Sequence, residues 1–163
     1  SDCVAQMFHR HGIENFMIEI GGEVVTSGLS PKGKPWRIGV NKPQEDSTST
    51  NNELQTILQM KNCAMATSGN YRNFYINNGR KIAHTIDPKT GYPVQHSILS
   101  STVIAPTCAV ADAYATSFMV LGFEKSLQVL DKHPELMAYF IFADKDGNYQ
   151  VWKSPGIEAL IAQ

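Results

Sequence analysis

The sequence is short of most features that place a protein at a glance. Its cysteines are three, Cys3, Cys63 and Cys108, widely spaced and with no CxxC pair. Neither a zinc site nor a disulfide framework is supported, and free, buried thiols are expected. Charge is sparse and balanced, 14 Lys and Arg against 15 Asp and Glu for a formal net of −1. A general nucleic-acid binder needs a basic stripe to displace counterions from phosphates, so that class is excluded. No apolar run approaches the ~20 residues that span a bilayer. No basic start followed by an apolar stretch marks a secretion signal. A Walker loop, GxGxxG and Gly-x-Ser-x-Gly are all missing, which leaves P-loop, Rossmann and α/β-hydrolase readings unsupported. The chain opens on Ser1-Asp2 rather than Met, so we expect a processed product or a piece of something longer.

What is there is globular. Hydrophobic residues make up 42% of the 163, enough to bury a core and to exclude disorder of the whole chain. The length fits one domain, or one lobe of a larger one. Asp2 to His11 reads as a helix with Val4, Met7, Phe8 and His11 on one face, stopped by Gly12. Strands are predicted at 16–20, 23–27 across a Gly21-Gly22 turn, 36–40, 54–60, 63–67 and 97–105. The polar stretch 44–53 reads as a mobile surface loop inside one continuing β-rich sheet. Helices follow at 108–121, with Gly122 as the stop, and at 124–132. Strand 138–142 and its return at 149–152 close the chain. The order specifies an α+β fold, mostly antiparallel sheet with packed helices.

Two segments carry chemistry. In His84-Thr85-Ile86-Asp87-Pro88-Lys89-Thr90-Gly91-Tyr92-Pro93, Asp-Pro, Thr-Gly and a second Pro fix a tight, rigid loop able to hold a His against a ligand. A plain turn between strands explains the same residues. In the helix 108–121, Val110, Tyr114, Ser117, Phe118 and Leu121 form the expected core face. Asp112 and Thr116 lie one turn apart on another, and Ala111, Ala113 and Ala115 leave room for close approach. A carboxylate with a hydroxyl suits a hard cation such as Mg²⁺, which also takes phosphate oxygens. An acidic residue favoured by the helix dipole, with a Thr bonded back to a carbonyl, accounts for them equally. Gly21-Gly22 and Ser68-Gly69-Asn70 are turns that also suit a ligand. The histidines lack metal-ligand spacing apart from the weak His9/His11 pair.

Taken together, the His84–Pro93 segment followed by Ala111-Asp112-Ala113-Tyr114-Ala115-Thr116 resembles the ApbE family, the FAD:protein FMN transferases. Ile20-Gly21-Gly22-Glu23, Trp36-Arg37-Ile38-Gly39-Val40 with Pro43, and Ala66-Thr67-Ser68-Gly69-Asn70-Tyr71 fit in the same order. The resemblance covers residues 1–163 as the C-terminal portion of that domain. It implies Mg²⁺-dependent transfer of the FMN moiety of FAD to a Thr hydroxyl of a target protein, with release of AMP. By position it makes Asp112 and Thr116 the magnesium ligands, His84 the base that takes the acceptor proton, and Ile86 a residue touching FAD. The partners it implies are FAD and an acceptor flavoprotein subunit of a membrane redox complex. The location it implies is the periplasm, as an inner-membrane lipoprotein. Further metal and FAD contacts of the family lie upstream of Asp2, so this stretch is expected to hold an incomplete site and to be inactive alone. A homodimer is expected as one way to cover apolar surface left by a missing half. The alternatives are an FAD pyrophosphatase, in which water replaces the acceptor Thr, and a non-catalytic flavin-binding module.

Overall fold

Alternation of apolar and polar residues builds the strands. In the computed structural model they are β1 Phe16–Ile20, β2 Glu23–Ser27, β3 Trp36–Asn41, β4 Leu54–Met60, β5 Cys63–Gly69, β6 Phe74–Asn77, β7 Arg80–Ala83, β8 Ile98–Ala105, β9 Met137–Ala143 and β10 Tyr149–Lys153. The helices are α1 Asp2–Arg10, α2 Cys108–Leu121, α3 Phe123–Leu130 and α4 Pro155–Glu158. The structure describes residues 1–42, 54–70, 85–94, 98–144 and 148–162, together with the backbone of 74–77 and 80–83. His84, the polar stretch 44–53 and most of the turn before β10 lie outside these residues.

Gly21 and Gly22 join β1 to β2 with φ of +67° and +99°. Two consecutive positive values are what a type I′ hairpin turn requires, and glycine supplies them without strain. Gly122, at φ +77°, ends α2 and lets the chain turn directly into α3.

Six strands form the main sheet in the order β1-β2-β5-β8-β9-β10, while β3 pairs with β4 and β6 with β7. Every pairing is antiparallel. The pleat sends alternate residues to opposite faces, so one sheet serves two cores. Val24, Met65, Ile104, Tyr139 and Ile141 meet Ile38, Val40, Leu58 and Met60 of the β3–β4 hairpin and Ile157 of α4. Ala66, Val103, Ala105, Ala138 and Phe140 meet Ala111, Ala115 and Phe118 of α2, with α3 alongside. A smaller cluster of Ala5, Phe16 and Ile18 seats α1 on β1. After α4 the chain returns to β4, where Gln59 N donates to Leu160 O at 2.6 Å and Ala162 N to Ile57 O at 2.8 Å.

The α+β, mainly antiparallel architecture is as expected, and β2, β4 and α2 have the expected bounds. Other expectations need correction. The segments flanking 44–53 do not continue one sheet, because β3 and β4 pair with each other and only β5 joins the main sheet. On α1, Val4, Ala5 and Phe8 pack inward, whereas Met7 and His11 are exposed. On α2 the sheet-facing side is Cys108, Ala111, Ala115, Phe118 and Met119, while Val110 and Ser117 face outward. What approaches Ala111 and Ala115 closely is therefore the sheet itself. Of the thiols, only Cys108 is buried; Cys63 is half-buried and Cys3 exposed.

Candidate functional site

A cavity of about 730 Å³ opens along the ends of β1, β2, β3 and β5, within the range usual for small-molecule sites. The Gly21-Gly22 turn, Thr67, Ser68, Gly69, Thr85 and Thr116 line it, with Arg37 and Glu19 its charged side chains. Hydroxyls and glycine backbone make one part of the wall, a surface that suits phosphate and sugar oxygens, and Met17, Val24, Ile38, Leu54 and Met65 make an apolar part. The two glycines thus make a hairpin and a cavity rim at once. On β3 the buried Ile38 and Val40 point to the core, and Arg37 and Gly39 alternate with them on the exposed side.

Thr116 reaches the cavity from α2. Its Oγ1 shares a 2.9 Å hydrogen bond with Ser68 Oγ at the end of β5, which ties the helix to the strand. Asp112 is exposed one turn earlier on α2 and does not line the cavity. Among the described residues no cluster of three or more His, Cys, Asp or Glu gathers around a point. A lone carboxylate with hydroxyls still fits Mg²⁺, which keeps waters and takes one or two carboxylates plus substrate phosphates.

The start of α2 is held from outside. Asp2 accepts from Cys108 N and Ala109 N, one amide to each carboxylate oxygen, both at 2.9 Å. The helix's own cap, Thr107 Oγ1 accepting from Val110 N, is longer at 3.4 Å. A carboxylate there complements the positive end of the helix dipole. Burial, and next the Asp2 charge, push the Cys108 thiol up to about 11.

The loop 85–94 folds on itself. Asp87 N donates to Tyr92 O at 2.9 Å and Gly91 N to Asp87 O at 2.8 Å. Val94 N donates to Thr85 O at 3.0 Å. Asp87 Oδ1 accepts from Lys89 N at 2.8 Å, a side-chain turn typical of Asp. Ile86 bridges Pro93 in the backbone, and its side chain is 48% exposed. Thr85 Oγ1 donates to Asn70 Oδ1 at 2.7 Å, which moors this tongue beside β5. Thr85 lines the cavity and Ile86 does not. His84, the residue just before, is outside the described residues.

The structure thus brings Thr116 together with Ser68, Gly69, Thr85 and the Gly21-Gly22 turn. It places Asp112 and Ile86 nearby in sequence but outside the cavity lining. Asp2 and the Ser68–Thr116 pair carry no signal in spacing. Among the described residues, the other histidines have local partners: His9 lies 3.2 Å from Glu14, His11 Nδ1 2.8 Å from Met7 O, and His133 Nδ1 3.0 Å from Glu135.

The fold recurs in known proteins. The flavin transferase ApbE from Vibrio cholerae superposes with a TM-score of 0.80 at 34% identity, over 98% of this chain and 48% of that one. The flavinyl transferase ApbE of Pseudomonas stutzeri, in its apo form, gives 0.80 at 31% identity, over 98% and 47%. In sequence, the FAD:protein FMN transferase of Klebsiella pneumoniae is 39% identical over 161 residues, 99% of this chain and 44% of the relative. That of Haemophilus influenzae is 41% identical over 146 residues, 90% and 41%. The family model described as ApbE family matches residues 1–140. The chain belongs to the ApbE family. It spans somewhat under half the length of the curated relatives it matches.

Proposed function

We propose that this chain is the C-terminal portion of an FAD:protein FMN transferase. The observation that carries the reading is the oxygen-rich cavity, entered by Thr116 from α2 and walled by Thr85 of the tongue that follows His84. Asp112 and Thr116 are the residues that would hold Mg²⁺. When bound, the ion would neutralise charge developing on the pyrophosphate.

The chain's own groups account for the rest. The glycines at 21, 22 and 69 let backbone approach the dinucleotide. Ile86 offers an exposed apolar surface to the flavin. His84 takes the proton of the acceptor Thr hydroxyl, a task that suits imidazole near neutral pH. That oxygen bonds to the FMN phosphorus, the P–O bond to the AMP half breaks, and its electron pair leaves with AMP. FAD is the substrate and a flavoprotein subunit of a membrane redox complex the acceptor; the periplasmic location belongs to the same proposal.

The test is an FAD fluorescence titration with Mg²⁺ and then EDTA, alongside Asp112→Ala. It is run on this chain and on the chain joined to the upstream half its relatives carry. Mg²⁺-dependent quenching lost in the variant is expected. Silence from both forms refutes the reading. Product analysis with an acceptor peptide separates transfer, which yields flavinylated peptide and AMP, from hydrolysis to FMN and AMP.

A further inference from the structure

We infer that Ser68 is a positioning residue for the Thr116 hydroxyl and, through it, for a divalent cation, an inference that rests on the reading above. Ser68 Oγ and Thr116 Oγ1 are 2.9 Å apart, and either oxygen can supply the proton. A cation on Thr116 removes the ambiguity. It takes a lone pair of Oγ1, so the Thr116 proton has to point away from it toward an acceptor. Ser68 Oγ is the acceptor already in place. Partners of this kind fix a ligand's orientation and raise its basicity.

Ser68 then needs somewhere to send its own proton. It stands opposite Ser101 in the β5–β8 register, so the two side chains leave the sheet on the same face. The Ser101 hydroxyl is fully buried and has no hydrogen-bond partner among the described residues. Buried polar atoms are nearly always paired, and an orphan calls for an explanation. The register sets it beside Ser68 on the face that packs against α2, as Ala66 and Val103 on the same strands show, and there it is the buried oxygen free to accept. The row Thr116–Ser68–Ser101 runs from the cavity wall into the helix–sheet interface.

The experiment measures binding of Mn²⁺ alone, standing in for Mg²⁺, by the paramagnetic resonance of the free ion. It compares the chain joined to its upstream half with Ser68→Ala, Ser68→Thr and Thr116→Ala. Ser68→Ala should weaken binding about 10- to 100-fold, and Ser68→Thr, which keeps a hydroxyl, should restore it. Equal weakening in both Ser68 variants would mean a packing role and overturn the inference. So would wild-type affinity in Ser68→Ala beside a loss in Thr116→Ala, with the flavin reading left standing. If the unmodified protein binds neither Mn²⁺ nor FAD, the functional reading falls and takes this inference with it.

Discussion

Replacing Asp2 with Ala removes the outside hold on the helix that carries Asp112 and Thr116. Two amides lose a charged acceptor, each at 2.9 Å. A hydrogen bond to a charged group contributes about 1.5–3 kcal/mol when dry. The Ala109 bond is exposed, so water replaces it at small cost; the Cys108 bond is partly buried. The Thr107 cap survives, although at 3.4 Å it is a weak substitute. The net cost is about 2 kcal/mol, the upper part of the range for lost N-caps. In a domain of this size that lowers Tm by roughly 4–8 °C. Asp2→Asn keeps one acceptor oxygen and should lose about half as much. Urea unfolding followed by tryptophan fluorescence measures both variants, with an unchanged m-value expected. Amide hydrogen exchange should quicken first at Cys108 and Ala109. The Cys108 thiol should also ionise at lower pH in Asp2→Ala, since the carboxylate's charge helps to hold it up. An Asp2→Ala chain within about 0.5 kcal/mol of wild type, the usual scatter for surface changes, would refute the argument.

Ala115→Leu should cost about 1–3 kcal/mol by forcing α2 off the sheet, whereas Ala113→Leu, on the exposed side, should stay within about 0.5 kcal/mol; denaturant midpoints decide. Gly22→Ala places a side chain at φ +99° and should destabilise by about 1 kcal/mol or more in the same assay. A thiol reagent on native protein should modify the exposed Cys3 first, Cys63 more slowly and Cys108 only on unfolding. The Cys108 thiol is raised from 9.0 to about 11 in the folded state. Folding therefore favours its protonated form, and that contribution is complete below pH 9 and lost as pH rises toward 11. Cys108→Ala should flatten the alkaline limb of a stability–pH curve.

The strands were legible because alternation and turn residues are local signals, and β2 and β4 fall where alternation puts them. Their partners were not. Nothing in residues 36–40 or 54–60 says that they pair with each other rather than extend the main sheet. On α2 bulk is a poor guide to burial. A helix lying flat on a sheet presents alanines at the closest approach and lets Tyr114 sit at the side. The four-residue α4 was signalled only by Ser154-Pro155, a fitting start for a helix, with no periodicity behind it. Motif and one-turn spacing single out Asp112 and Thr116 as candidates, of which Thr116 lines the cavity. Ser68 and Asp2 act across 48 and 106 residues of chain, a separation that only folding closes.

The strand order also divides the molecule by evolutionary freedom. β2 and β5 are neighbours, as are β5 and β8, so everything between them in the chain is an excursion that leaves and rejoins the sheet at adjacent places. The two excursions are not equally free. The β3–β4 hairpin gives Ile38, Val40, Leu58 and Met60 to the core, so only its outward row, Arg37 among it, can drift without loss of stability. The tongue 85–94 buries no side chain completely, and apart from the Thr85–Asn70 mooring its hydrogen bonds run within itself. A different loop in its place, so long as it kept a mooring like Thr85, would alter what the cavity accepts and leave both cores of the sheet as they are.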